Sequence, residues 1–163
     1  MTYRVCFVCT GNICRSPMAE SVFRARVAEA GLDGLVEIDS AGTGDWHVGE
    51  DADPRTVAVL GKSGYATAHT ARVFDRSWFA RRDLVIALDS SHLRALRLLA
   101  PTPEDARKIR LLRSYAPSAG DDLDVPDPYY GGPDGFDDCL EMVEEASVGL
   151  LAAVREAVEG RAT

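Results

Sequence analysis

Short apolar runs alternate with longer amphipathic stretches along this chain. Residues 3–9 (YRVCFVC) are rich in β-branched and aromatic types and read as a buried strand. TGNICR reads as a turn. Ser16 is the expected N-cap of a helix, Pro17 its first residue and Glu20 an acid of its early turn. Val22, Phe23, Val27 and Ala30 follow at helical spacing, and Gly31 ends the helix. Residues 35–40 (LVEIDS) predict a second strand. Asp53-Pro54 predicts a cap and a helix running to about Lys62. Residues 83–88 (DLVIAL) read as a central strand, followed by a helix capped by Ser90 or Ser91 with Leu93, Leu96 and Leu99 on one face. Residues 109–112 (IRLL) predict a short fourth strand. A last helix is expected from Asp134 to about Val158, with Leu140, Val143, Leu150, Leu151 and Val154 at helical spacing.

Strands alternating with helices predict an α/β fold: a parallel sheet of about four strands with helices on both faces. The chain, residues 1–163, reads as a single domain with no internal repeat. Two stretches, Ala41–Asp53 and Ser114 to about Pro133, are long for connections in such a domain and read as functional loops. In parallel sheets the ligand sits beyond the carboxyl ends of the strands. Cys9, Ser40 and Asp89 fall at such ends.

Composition narrows the function. The hydrophobic fraction of 46% and charged fraction of 27% are ordinary for a globular domain. A formal net charge of −8 argues against broad binding of nucleic acid or anionic membrane, but not against a local anion site. No apolar run reaches the length of a membrane span, and the first residues lack the pattern of a signal peptide. Of four cysteines, Cys6, Cys9 and Cys14 crowd into the first 14 residues and Cys139 stands apart. That is not a secreted disulfide framework, and the expected compartment is the cytoplasm.

The chemistry concentrates in Cys9-Thr10-Gly11-Asn12-Ile13-Cys14-Arg15-Ser16, a loop from a strand to a helix amino terminus. Backbone N–H groups and the helix dipole there favour a phosphate, and the same field favours a thiolate at Cys9. Gly11 and Asn12 tolerate left-handed backbone. The planar fork of Arg15 suits two phosphate oxygens. Thiolate, anion cradle and Arg together suffice for covalent phosphoryl transfer with no metal or other cofactor. The plainer alternative makes Cys9 an inert buried cysteine. A Cys6–Cys9 metal or redox pair is disfavoured, because residues three apart on a strand face opposite ways and no second pair completes a zinc site.

Cys9 to Ser16 resembles the signature of the low-molecular-weight protein tyrosine phosphatase family. The resemblance continues through Asp39-Ser40-Ala41-Gly42, Asp45-Trp46-His47-Val48-Gly49, Asp53-Pro54-Arg55, His69-Thr-Ala-Arg72 and Asp127-Pro128-Tyr129-Tyr130-Gly131, and so covers nearly the whole chain. It implies hydrolysis of phosphotyrosine through a phosphocysteine, with Cys9 as nucleophile, Arg15 as clamp and Asp127 as general acid and base. Asp127 would be protonated while Cys9 is ionised, which favours mildly acidic pH. The resemblance also implies that Asn12, Ser16, Ser40 and His69 form a network holding the loop. Trp46, Tyr129 and Tyr130 would wall a slot that fits a flat phosphotyrosine and is too deep for phosphoserine. Asp89 reads as a structural acid, and Asp121 and Asp122 as solvated charge. Cys14 is either a packing residue or, as the resemblance suggests, a thiol that resolves oxidised Cys9.

Three other functions fit these residues less well. An arsenate reductase needs a late pair of redox cysteines, and Cys139 is alone. Arginine phosphatase relatives tend to have Thr at the position of Ile13. A noncatalytic phosphopeptide binder has no need of Cys9, Arg15 and Asp127 together. The expected partners are tyrosine-phosphorylated proteins, with inorganic phosphate as product and neither nucleic acid nor membrane.

Overall fold

Tyr3–Cys9 forms strand β1 in the computed structural model of the chain, which describes residues 2–132 and 134–162. Pro133, the expected end of the second long loop, lies outside the described residues, as do Met1 and Thr163. Strands β2 (Val36–Gly42), β3 (Leu84–Ala87) and β4 (Ile109–Leu111) complete a sheet of order β2-β1-β3-β4. All pairings are parallel: β1 runs beside β2 from Tyr3↔Val36 to Cys9↔Gly42, and beside β3 from Val5↔Leu84 to Val8↔Ala87.

The pleat of β1 divides the interior. Val5, Phe7 and Cys9 join one core with residues of α1 (Arg15–Glu29), α2 (Pro54–Lys62) and α5 (Asp134–Ala162). Cys6 and Val8 face the other core, with Phe74, Phe79 and Leu96 of α3 (Ser90–Leu99). The expected divergence of Cys6 and Cys9 is therefore present. Phe7 meets Phe23 of α1 edge to face, centroids 5.7 Å apart. Truncating such a fully buried ring to Ala costs about 3–5 kcal/mol.

The outer edge of β2 is covered by arginines. Arg24 donates to the Ile38 carbonyl and Arg72 to the Ser40 carbonyl, while Arg72 and Arg82 both pair with Asp39. Charge and guanidinium donors thus occupy an edge that would otherwise pair with another strand.

Several boundaries differ from the sequence reading. Helix α1 begins at Arg15, with Cys14 at the N-cap and no side-chain cap bond, because the Ser16 hydroxyl turns inward. Glu20 consequently lies beyond the first turn. Asp89, not Ser90 or Ser91, caps α3, since its carboxylate accepts from the backbone N–H groups of Ser91 and His92 at once. A four-residue helix, α4 (Pro103–Ala106), was not anticipated, although Thr102 caps it and Pro103 begins it. The Asp53 cap of α2 is as expected, its side chain accepting from Arg55 N at 2.8 Å. Among the described residues no helix is long and apolar enough to cross a membrane.

Candidate active site

Strand β1 ends at Cys9, and six residues later the chain has entered α1. Cys9 is buried, its Sγ 2.9 Å from Ser16 Oγ and within 3.4 Å of the Ser16 N–H. Positive potential at the start of α1 is therefore aimed at this sulfur.

The loop's shape depends on Asn12, whose φ of 58° is the one left-handed value among described non-glycine residues. Its side chain donates to Ser16 Oγ (2.8 Å) and Ser40 Oγ (2.9 Å) and accepts from Arg72 N (2.9 Å). Its carbonyl meets His69 Nε2 at 2.6 Å. Ser40 in turn donates to Glu20 at 2.5 Å. Asn12, Ser16, Ser40 and His69 thus form one network, as anticipated. Gly11 has no left-handed φ, so that part of the expectation fails and Asn12 alone makes the turn. The loop also leans on β2. A Cβ at Gly42 would lie 2.7 Å from the Thr10 carbonyl, so glycine there permits the approach.

Arg15 is buried and oriented from several sides. Nη1 donates to Asp89 Oδ2 at 2.7 Å and to the Val125 carbonyl at 2.8 Å. Nη2 lies 3.7 Å from Asp127 Oδ2. With Nη1 so anchored, the Nε–Nη2 edge is the one free to meet two oxygens of an anion. Burial works against the guanidinium charge, but Cys9, Asp89 and Asp127 outweigh it and raise its pKa. Asp89 is held down to about 2; burial opposes this, and the bonds from Ser91 and Arg15 prevail.

Asp127 sits on the second long loop at the start of a 3-10 turn, Pro128–Tyr130, and accepts from Tyr129 N at 3.0 Å. It borders the same cavity of about 410 Å³ as Cys9, Thr10, Gly11, Ile13, Cys14 and Arg15. Trp46, His47, Tyr129 and Tyr130 line its mouth. Trp46 is 70% exposed and Tyr130 88%. Arg55 ties this rim to the body: it donates to the Tyr129 carbonyl at 3.1 Å, lies over the Tyr129 and Phe136 rings, and pairs with Asp53 at 2.9 Å.

All four cysteines are free thiols. Burial pushes the pKa of Cys14 up to about 12, with Asp53 adding to it, and Cys139 is likewise pushed up to about 12 by burial.

Three contributors escaped the sequence reading: the Arg55 tether, the Val125 carbonyl and His92. His92 is buried on α3, and its Nε2 lies 2.8 Å from Thr10 Oγ1. The Asp-Ser-Ser-His run after an apolar strand carried its signal, as a capping box with His in place of the usual Glu or Gln.

Comparison with known proteins gives the family. Residues 4–160 match the family model described as low molecular weight phosphotyrosine protein phosphatase. A low molecular weight protein-tyrosine-phosphatase of Streptomyces coelicolor is 76% identical over 163 residues, 99% of each chain. A low molecular weight phosphotyrosine protein phosphatase of Schizosaccharomyces pombe is 49% identical, covering 93% of this chain and 96% of that protein. The crystal structure of a protein tyrosine phosphatase from Entamoeba histolytica, with Hepes in its active site, superposes with a TM-score of 0.91 at 33% identity, covering 96% of this chain and 99% of that one. The chain belongs to the low molecular weight phosphotyrosine protein phosphatase family and is an enzyme of the protein-tyrosine-phosphatase class.

Proposed function

We propose that this enzyme hydrolyses phosphotyrosine in proteins by two in-line displacements at phosphorus, with Cys9, Arg15 and Asp127 as its catalytic residues. The observation that carries this is the convergence of the Cys9 sulfur, the Arg15 fork and the Asp127 carboxyl on one cavity at the amino terminus of α1. In the first step the Cys9 thiolate bonds to phosphorus and the P–O bond to the tyrosine breaks. Asp127 gives its proton to the departing phenolic oxygen. In the second step water attacks phosphorus, Asp127 takes up a proton, and the S–P bond breaks to return the thiolate and release inorganic phosphate.

Arg15 and the N–H groups of Thr10 to Ser16 hold the non-bridging oxygens throughout, so charge developing in the transition state meets donors already in place. The Ser16 hydroxyl donates to the sulfur, favouring ionised Cys9 as nucleophile and leaving group. An incoming phosphate competes with Asp127 for Arg15 Nη2, which frees the carboxyl to turn toward the leaving oxygen.

Ile13, Trp46, Tyr129 and Tyr130 support an aromatic substrate, because a flat ring fills the space between them and the sulfur. The substrates are tyrosine-phosphorylated proteins of the cytoplasm, and neither nucleic acid nor membrane takes part. Cys14 supplies a thiol that condenses with peroxide-oxidised Cys9, the sulfenic oxygen leaving as water. A Cys14→Ser enzyme that recovers from peroxide as well as wild type would remove that role.

The acid role is tested with Asp127→Asn. Its rate on a phosphotyrosine peptide falls by about 10²–10⁴-fold, and by much less on an aryl phosphate with a good leaving group. Equal losses on both substrates would make Asp127 a structural residue.

A further inference from the structure

His92 has 2% of its surface exposed and takes no part in the two displacements described above. It occupies the third position of α3 and closes a reciprocal cap there. Asp89 Oδ1 accepts from the N–H groups of Ser91 (2.9 Å) and His92 (3.1 Å), and His92 Nδ1 lies 3.2 Å from the Asp89 N–H. Nδ1 also lies 3.3 Å from Asp89 Oδ1. That oxygen already accepts three bonds, including one from Ser91 Oγ at 2.5 Å, so Nδ1 is the acceptor of the Asp89 N–H. A neutral ring then carries its proton on Nε2 and donates it to Thr10 Oγ1, 2.8 Å away.

The charge around the ring keeps it in that form. Arg15 Nη2 is 3.4 Å from Nε2, and Asp89, Asp127 and Asp124 are the acids that act on it. Burial first, and Arg15 second, push the imidazole down to about 4. Protonation would cost the ring its bond from the Asp89 N–H and set a second cation beside Arg15. The same Asp89 carboxylate holds Arg15 through its other oxygen, Oδ2. Two strand ends are thereby joined: the residue after the nucleophile on β1 is bonded to the cap residues after β3.

We propose that His92 is a positioning residue for phosphoryl transfer: from the cap of α3 its Nε2–H orients the Thr10 hydroxyl and, with Asp89, locks the start of the phosphate loop to Arg15. The proposal rests on the phosphatase reading above. It assigns His92 no contact with substrate. With Oγ1 engaged as an acceptor, the Thr10 hydroxyl hydrogen is left to face the cavity that Thr10 lines.

The test compares wild type, His92→Phe, His92→Gln, Thr10→Val and the His92→Phe/Thr10→Val double variant. Three readouts are taken: kcat and KM on an aryl phosphate, inorganic phosphate affinity by calorimetry, and Tm. His92→Phe is expected to lower kcat/KM by about 10- to 100-fold and to weaken phosphate binding, since misplaced loop groups lose transition-state contacts. Gln offers a carbonyl to the Asp89 N–H and an N–H to Thr10, so His92→Gln should recover most of that loss. Thr10→Val should lose part of what His92→Phe loses, since Phe also gives up the bond from the Asp89 N–H. The double variant should be no more than about 2-fold worse than His92→Phe, because the Thr10 bond is being removed twice.

A Thr10→Val enzyme with wild-type kinetics, or losses that multiply in the double variant, overturns the proposal. So does a His92→Phe enzyme whose Tm falls while kcat/KM and phosphate affinity hold, for His92 is then only a cap. If His92→Phe does not fold, Thr10→Val and His92→Gln decide. Calorimetry needs no turnover, so a failure of the phosphocysteine mechanism itself, seen as activity in Cys9→Ser, is read separately.

Discussion

Thr10, Asn12, Arg15 and Ser16, in the cradle, each have side-chain partners at 2.7–2.9 Å. On the rim of the same cavity, the Trp46 ring and the hydroxyls of Tyr129 and Tyr130 carry no hydrogen bond to any described residue, and the rim is tied down chiefly by Arg55. The cradle must hold donors where charge develops, and any freedom there is lost transition-state stabilisation. On the proposed function the rim admits a ring that arrives on the surface of a folded protein, and ordering it beforehand gains little. Under that function the two regions divide the work: the cradle holds the chemistry and the rim selects what reaches it.

This contrast is broken most severely at Arg15. Arg15→Lys keeps the charge but loses the fork and its bonds to Asp89 and Val125. A loss of at least about 10³-fold in kcat/KM is expected, because a point charge cannot replace bidentate geometry. A Lys enzyme within 10-fold of wild type, ~1.4 kcal/mol, would contradict the fork.

Asn12→Ala comes next. Alanine in a left-handed conformation costs about 1–2 kcal/mol, and the Ser16, Ser40 and Arg72 groups lose a common partner. The variant should show a lower Tm and a phosphate affinity reduced about 10-fold or more. Retained affinity would mean the loop is held by its backbone alone.

The rim responds least. Trp46→Ala with Tyr129→Ala should raise KM for a phosphotyrosine peptide by about 3- to 10-fold, the scale of one or two aromatic contacts. Inorganic phosphate affinity should barely move. A large loss of phosphate affinity in the double variant would show that rim and cradle are coupled and the division of work is wrong.

How much of this could be read beforehand follows the same division. Cys9, Arg15 and the phosphate loop are local in sequence, and strand, turn and helix signals sit side by side. β1 was legible to the residue because its apolar types and the following Thr-Gly-Asn are unambiguous. Ser16 reads in the sequence both as a cap and as a partner of the Cys9 sulfur, because a cap and a buried donor share one chemistry; the structure keeps the second role and not the first. Long-range partners were harder. His92 and Thr10 are 82 residues apart, and they meet only because β1 and β3 are neighbours in the sheet, an order that no periodicity reveals. Arg55 belongs to a motif already noted, but its hold on Tyr129 depends on how the second long loop folds back.

The central claim, that phosphate is carried on Cys9, is tested most directly by trapping the intermediate. Asp127→Asn is mixed with an aryl phosphate whose leaving group needs little protonation, so that formation outpaces hydrolysis. The reaction is then quenched in acid, and the chain is digested and mapped by mass spectrometry. The account predicts one phosphate on the peptide containing Cys9, absent from Cys9→Ser. Turnover with no covalent phosphate, or phosphate found on Cys14 or on any other residue, would contradict it.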